Sequence, residues 1–469
     1  MDEKRLSILR DEPVFKAIMS LAIPTIMGMI VQVLYNLTDA FFVGQLNDPY
    51  QLAAVSVAFP LFIMLMAISS IFGNGGSSYI SRLLGQKEYL LAKKVTATTF
   101  YSGIFIGAIV TIGGLFFIKP ILYLIGVTTE TFQFASEYLT IIFSGSIVII
   151  LNFSLGLLLR AEGAAKIAMY GMMIGTGLNI LLDPIFILYL NQGVRGAAIA
   201  TLIGQSLGLA FYIYYYLKRN TAGSIAWRYF SPLRDIYIEI FKIGIPSSLN
   251  HILMSVANTV SNIVAATYSD IVIAAFGIDF RIFSMAVMLM IGLAAGTQPL
   301  IGYSFGAKNI HRFNDTFKVA SFISTGIALF FTVVFYLFPE QLIQTFINDQ
   351  QVVNYGVQIL NALIIGLPFI GIQMLIMVTF QALGKGRPAL ILAISRQGLF
   401  FIPTIFILNE IFGFTGFIYA QPIANILTFI LAVFLFRRIK LQIDVEHQDK
   451  YDKKEVMPTN LKETWSEAL

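Results

Sequence analysis

Two aspartates, Asp39 and Asp183, each lie deep inside a long apolar stretch of the chain. An acid at the centre of a membrane helix costs about 2.5–3.5 kcal/mol on insertion scales, so each needs a reason to be there. Asn179 precedes Asp183 by four residues and shares its helix face. Tyr35 and Asn36 precede Asp39 by four and three. Thr201 falls two turns into the stretch that opens at Gly193, and the stretches holding the two acids end about two turns beyond each of them. Read by depth, Tyr35, Asn36, Asp39, Asn179, Asp183 and Thr201 share one level. Carboxylate, amide and hydroxyl oxygens can replace the water around a small cation. Withdrawal from water disfavours a bare carboxylate charge, so the same set suits a proton equally. The competing reading is polar glue between helices. Pro184, directly after Asp183, lacks a backbone donor and favours a bend that frees a carbonyl near Asn179 and Ile180, beside the acid.

The elements that must hold these residues follow from composition. Of 469 residues, 57% are hydrophobic and 12% charged. Soluble domains carry about 25% charged residues, so most of this chain lies in lipid. Cysteine is absent, which excludes a disulfide framework and a thiolate metal site. The three histidines, His251, His311 and His447, have no metal-ligand spacing. Apolar runs and their breakers predict twelve spans, over 14–44, 52–81, 95–118, 131–159, 167–190, 194–217, 237–267, 271–304, 317–338, 352–381, 388–409 and 413–436. The polar start leads straight into a long apolar helix, so no cleavable signal is expected. Of 31 Lys and Arg, 27 fall on one side of this topology and only Lys119 and Arg195 on the other, with Arg281 and Arg396 inside spans. The positive-inside rule then places both termini in the cytoplasm, in a plasma or inner membrane. The net charge of +5 reflects that placement rather than a nucleic-acid partner.

The chain also repeats itself. Ala22-Ile23-Pro24 returns as Gly244-Ile245-Pro246, Gly85-Gln86-Lys87 as Gly306-Ala307-Lys308, and Ala161-Glu162-Gly163 as Ala382-Leu383-Gly384. Pro184 to Leu188 is echoed by Pro403 to Leu408 and Gly193-Val194-Arg195-Gly196 by Gly413-Phe414-Thr415-Gly416, and the shifts lie between 219 and 222. Six spans per copy bring the second copy into the membrane from the same side as the first, the parallel type of transporter repeat. The expected fold is an all-α membrane protein with twelve transmembrane helices in two pseudo-two-fold related six-helix lobes. An N-terminal lobe covers 1–217, a cytoplasmic linker 218–236, a C-terminal lobe 237–440 and a charged cytoplasmic tail 441–469. The copies differ in their acids: Asp39 aligns with Ser261 and Asp183 with about Ile402, and only Asn36 is echoed, by Asn258. Asp279, Gln373, Gln397 and Gln421 leave some polarity in the second copy, with Asn258, Asp279 and Gln397 as supporting or cavity residues. The first copy is therefore the expected ion-coupling half.

Several segments resemble one family. They are Pro13 to Ile18, Ile23-Pro24, Tyr79 to Gly85, Gly177-Leu178-Asn179-Ile180-Leu181-Leu182-Asp183-Pro184-Ile185, Phe241 to Pro246 and Gly384 to Arg387. Together they are similar to the multidrug and toxic compound extrusion (MATE) family, and within it to the MepA-like bacterial branch, over about residues 12–438. The resemblance implies two six-helix lobes working by alternating access and export of cationic drugs in exchange for Na⁺ or H⁺, with no other cofactor. It also implies a cation or proton site, with Na⁺ as one occupant, at Asp39, Asn179, Asp183 and Thr201. Some relatives use acids in the second lobe as well; here that lobe offers only Asp279.

With 41 Phe, 21 Tyr and 16 Met, the chain can line a cavity that holds flat amphipathic cations by stacking and cation–π contacts. The expected function is a monomeric, cation-coupled multidrug efflux antiporter acting on small organic cations. The rival within the superfamily is a flippase or exporter of a lipid-linked or metabolite substrate. That rival calls for basic cavity residues to hold a pyrophosphate, and the spans hold only Arg281 and Arg396. An enzyme would need clustered catalytic groups, and the scattered histidines argue against one. A passive channel would present symmetric charged rings, whereas these acids belong to one copy.

Overall fold

The computed structural model describes residues 3–46, 48–219 and 221–455; the side chains of residues 3, 4, 36, 40 and 446–455 fall outside that description. The helices run in chain order as α1 (Glu3–Arg10), α2 (Val14–Gly44), α3 (Pro49–Gly85), α4 (Tyr89–Phe116), α5 (Ile118–Leu124), α6 (Thr129–Ser144), α7 (Ser146–Ala161) and α8 (Ala165–Asp183). A π-helical turn, Pro184–Tyr189, leads to α9 (Gly193–Lys218). There follow α10 (Arg234–Ala266), α11 (Asp270–Gly306), α12 (Ile310–Leu337), α13 (Pro339–Gln344), α14 (Gln350–Ala382) and α15 (Gly386–Ile394). A second π-helical turn, Ser395–Phe401, joins α15 to α16 (Ile402–Glu455). No strand occurs among the described residues.

Among the described residues, nine helices are long and apolar enough to cross a membrane, or ten if α6 and α7 count as one bent span. The chain is thus an all-helical, multi-pass membrane protein. The bounds depart from the sequence expectation in instructive ways. The span expected over 131–159 is bent by 55° between α6 and α7, where Gly145 intervenes. The last two expected spans form one helical run from Gly386 to Val445, broken only at Gly413, whose φ is +57°. Helix α10 is long but carries Asn250, His251, Asn258 and Asn262, and it falls short of the apolarity of its neighbours. Helix α16 continues past Leu441, where a charged extension was expected, to Glu455.

The duplication reaches down to single backbone angles. Positive φ recurs at Lys87 (63°) and Lys308 (57°), at Gly163 (78°) and Gly384 (68°), and at Gly193 (53°) and Gly413 (57°). At the first two pairs the hydrogen bonds recur as well. Glu88 N donates to Leu83 O and Asn309 N to Ser304 O, while Ala164 N donates to Leu159 O and Lys385 N to Phe380 O, each at 2.9 Å. These are left-handed helix stops of the Schellman type, which satisfy carbonyls the helix end leaves orphaned. The short helices α5 and α13 also stand at repeat-related positions, a feature the apolar pattern alone did not reveal.

The copies meet at one end of the bundle. A Cβ on Gly75 would lie 2.2 Å from Ile240 O, and one on Gly244 2.0 Å from Ile71 O. Gly85 and Gly306 press in the same way on Tyr303 O and Arg82 O. Small residues let these backbones close, as is usual where lipid supplies no hydrophobic drive between helices. Arg82 on α3 adds an ion pair to Glu239 on α10, with Nη2 2.8 Å from Oε2. Helix α1 lies across this end: Arg312 of the second copy donates to Leu9 O (2.9 Å) and Ile8 O (3.2 Å), and Leu9 is fully buried. One hydrophobic cluster joins both copies here, including Leu84, Ile240, Ile301 and Phe380. The other clusters are private to one copy, over residues 257–424 or within 43–198.

Candidate functional site

The first-copy site is assembled by glycines. On α8, Gly171 and Gly175 are four apart; on α9, Gly204 and Gly208 are four apart. A Cβ on Gly204 would sit 2.4 Å from Gly175 O, and one on Gly208 3.0 Å from Gly171 O. This small-residue seam draws the two backbones together. One turn further along each helix, Asn179 and Thr201 are brought face to face, and Asn179 Nδ2 donates to Thr201 Oγ1 at 3.3 Å. Helix α2 packs on α8, with Gly28 against Met172. The Tyr35 hydroxyl from α2 then shares a hydrogen bond of 3.2 Å with Thr201 Oγ1.

Around this triad the oxygens lack donors. Asp183 is fully buried, and neither of its carboxylate oxygens has a hydrogen-bond partner. Asp39 Oδ1 and Asn179 Oδ1 are buried and unpartnered too. Asp39 and Asp183 are close enough to interact electrostatically. Buried polar atoms are normally satisfied, and an unpaired carboxylate away from water is among the most costly exceptions. The pocket is therefore rich in acceptors and poor in donors, a donor set that fits a hard cation or protons. No group of three or more His, Cys, Asp or Glu that could hold a metal ion occurs among the described residues, so any cation here would rely on amide and hydroxyl oxygens beside the two acids.

Of the six residues read from the sequence, Tyr35, Asn179 and Thr201 are joined by hydrogen bonds, and Asp39 and Asp183 flank them. The side chain of Asn36 lies outside the described residues. Pro184 opens the π-helical turn directly after Asp183, so the bend foreseen there takes the form of a widened turn. Tyr138 on α6, not foreseen, also lies within electrostatic range of both acids. The only sequence signal for it was a lone Tyr in an apolar run.

Next to this pocket is a cavity of about 60 Å³, lined by Gln32, Phe62, Met66, Asn152, Phe153, Arg160, Met172, Thr176 and Gln205 among others. That is room for several waters. Thr176 and Gln205 stand one turn from Asn179 and Thr201. Asn152 Nδ2 donates to Gln205 Oε1. The polar residues Gln32, Asn152 and Gln205 were legible as polar groups inside spans, but not as one wall.

The second-copy candidates stand elsewhere. Asp279 on α11 is fully buried with both oxygens unpartnered, and a Cβ on Gly356 would lie 3.4 Å from one of them. Gln397 and Arg396 occupy the second π-helical turn. Arg396 is 8% exposed; its Nη1 reaches only Met374 Sδ at 3.7 Å, and its Nε has no partner. Asn258 is partly buried on α10.

Comparisons with known proteins agree with this architecture. The MatE family model matches twice, over residues 24–185 and 246–407, at the spacing of the internal repeat. The multidrug export protein MepA of Staphylococcus haemolyticus is 36% identical over 449 residues, covering 95% of this chain and 98% of that protein. MepA of Staphylococcus aureus strain N315 is 36% identical over 447 residues, with the same coverage. Among solved structures, a MATE in complex with MaL6 superposes with a TM-score of 0.90 at 32% identity, over 94% of this chain and 99% of that one. The outward-facing conformation of a multidrug resistance MATE family transporter of the MOP superfamily gives 0.89, with the same identity and coverage.

Proposed function

The chain belongs to the MatE family, a family of transporters rather than enzymes, and we propose that it exports amphipathic organic cations in exchange for H⁺ or Na⁺. The observation that carries this reading is the acceptor-rich pocket: two carboxylate oxygens of Asp183, Oδ1 of Asp39 and Oδ1 of Asn179, all buried without donors. A cation or proton bound there, with Thr201 and Tyr35 completing the oxygen set, removes the cost of unpaired charge. A cationic substrate competes for the same carboxylates, so occupancy by one expels the other, and exchange follows from differential affinity for two states.

The chain crosses the membrane twelve times in this reading. Helix α10 supplies one crossing despite its asparagines, and the break at Gly413 divides the long final run into two. The two six-helix lobes span 1–217 and 237–440, joined by the 218–236 linker, with both termini in the cytoplasm. Packing between the copies at the linker end, and private clusters at the other, support a state open away from the cytoplasm. The protein works as a monomer, with the lipid bilayer and small organic cations as its partners. Multidrug export by the MepA relatives supports the substrate class.

The test is reconstituted transport of a fluorescent organic cation under separately imposed pH and Na⁺ gradients. Wild-type protein moves the dye under at least one gradient, and the Asp39→Asn and Asp183→Asn variants lose that drive. Undiminished ion-driven transport in both variants would sink the proposal.

A further inference from the structure

We infer that the linker turn Trp227–Tyr229, together with Lys93 of α4, binds the headgroup of an anionic phospholipid in the leaflet beside it. The partner is the membrane itself, not the transported ligand. Binding there requires neither the export function proposed above nor any particular driving ion.

The turn is fastened to α4 on both sides. The Tyr101 hydroxyl donates to Ile225 O at 3.0 Å. Thr98 Oγ1 donates to Ser231 O at 3.0 Å and accepts from Ser231 N at 3.3 Å. Between these ties the Trp227 ring stacks on Phe230, with centroids 5.0 Å apart, and meets Tyr101 edge-on at 4.7 Å. Trp227 is nevertheless 66% exposed. An indole held firmly outside the fold, with an apolar body and one N–H donor, is the side chain that membranes collect at the boundary between headgroups and chains.

Two cations gather beside it on one ring. Lys93 Nζ lies 5.5 Å from the Tyr229 centroid, and Arg228 Cζ lies 4.9 Å from it. Neither cation makes a hydrogen bond or ion pair with any described residue. The flanking acids Glu88 and Asp235 lie within electrostatic range of Tyr79 instead. Like charges gathered this way repel until an anion joins them. A phosphate accepts two parallel N–H bonds from a guanidinium, and an ammonium adds a point charge.

The depth fits a headgroup. Helix α4 has 28 residues, about 42 Å at 1.5 Å per residue, against a hydrocarbon core of about 30 Å. At its far end Ile112, Leu115 and Phe116 are apolar and exposed, so the surplus of about eight residues falls at the end that begins with Tyr89. Lys93 then stands in the headgroup layer, and Tyr101 just inside the hydrocarbon edge.

The positive-inside rule accounts for cations on this side, but not for their gathering at one turn. The repeat separates the two. At the shift of 221, Lys93, Thr98 and Tyr101 correspond to Asn314, Val319 and Phe322. The second copy thus lacks the cation and both of the ties that hold the turn.

The chain has two tryptophans, Trp227 and Trp465, so full-length Trp465→Phe protein reports from Trp227 alone. It is reconstituted in phosphatidylcholine vesicles in which a rising share of the lipid is replaced by phosphatidylglycerol or phosphatidylcholine with brominated chains. Quenching of the indole emission gives the relative affinity of the two lipids. Phosphatidylglycerol is preferred about tenfold or more. Lys93→Gln and Arg228→Gln each lower that preference about fivefold, the worth of one cation at an anionic surface. Arg437→Gln, the same change of charge at an exposed residue outside the cluster, leaves it unchanged. The preference is a ratio taken within one variant, so partial loss of folded protein cancels. Equal quenching by the two lipids overturns the inference, as does a preference unchanged in both cluster variants. An equal loss in Arg437→Gln overturns it too, because a diffuse basic surface would then replace the site.

Discussion

The two copies of the repeat share their backbone and part company in their charges. In the first, α8 closes on α9 through Gly175 and Gly204, and a fully buried aspartate stands at the end of the seam. In the second, where the shift has dropped to 219 by Pro184 and Pro403, about Ile402 stands in place of Asp183. At the repeat shift of 221, Gly175 and Thr176 fall on Arg396 and Gln397. A small residue that admits a neighbouring helix is replaced by a guanidinium reaching a methionine sulfur. Pro24 and Pro184 return as Pro246 and Pro403, and the left-handed helix stops recur to within about ten degrees of φ. Duplication thus preserves what closes helices and turns, because those demands are set by backbone geometry. Side chains that face an internal space answer to whatever fills it, and there the copies have diverged.

If the first copy alone couples ions, the largest effect belongs to its acids. Asp183→Asn keeps the shape and removes the charge; ion-driven dye export in proteoliposomes falls by at least about tenfold, the scale of one lost charge-assisted interaction. Asp279→Asn, by contrast, changes it less than about threefold on the same scale. A loss in Asp279→Asn equal to that in Asp183→Asn breaks the comparison, because the second copy would then couple as well.

Next in size is the seam. Gly204→Val pushes a branched side chain at Gly175 O, already 2.4 Å from an added Cβ. Overpacking of this kind costs about 1–3 kcal/mol, and it also parts Asn179 from Thr201. Both the melting temperature and the export rate fall. The repeat-related Ala424→Val, where the second copy has no glycine seam, costs less. Equal losses at the two positions would show that close helix approach is not what assembles the acid pocket.

Arg396 gives a smaller effect, of opposite sign. It has no acid partner among the described residues and one weak contact to sulfur. Replacing a buried charge with an apolar side chain of similar length is often neutral or stabilising. Arg396→Met therefore melts no lower than wild type, by a dye-based unfolding assay in detergent, and keeps ion-driven export. Export lost at unchanged melting temperature would instead give this cation a part in transport.

Much of this was legible in the sequence, for identifiable reasons. Helix period fixes which residues share a face, so spacing alone pairs Asn179 with Asp183, and Tyr35 with Asp39. Depth along apolar runs then places Thr201 level with them. The repeat shift matches Lys87 with Lys308, where the left-handed stops recur. Other features were hidden because they depend on partners far along the chain. Nothing in the apolar run from Thr129 to Ala161 announces a 55° bend, and Tyr138 becomes a neighbour of the acids only once α6 packs beside α9. Gln32, Asn152 and Gln205 come from three different helices, and spacing along a chain says nothing about such a meeting.

The smallest expected effect sharpens the comparison at a third site, outside the spans. Glu162 follows α7 where the second copy has Leu383. It is buried, accepts from the Tyr216 hydroxyl at 2.9 Å and from Ala222 N at 3.1 Å, and so ties the linker to the first copy. Burial pushes its carboxyl up to about 7, against the hydrogen bonds from Gly223, Tyr216 and Ala222 that pull the other way. The folded chain then holds a proton there that the unfolded chain releases near the ordinary glutamate value of about 4.3. The stability this group contributes is full below that value and is lost as the pH rises through about 7. Thermal unfolding of wild type should therefore fall in temperature between about pH 5 and about pH 8. Glu162→Gln, neutral throughout, should show a flatter profile over the same window, with the difference from wild type confined to it. A wild-type profile that rises with pH, or a variant profile with the same slope, would mean that the linker anchor is charged in the folded state and that burial does not dominate at this position.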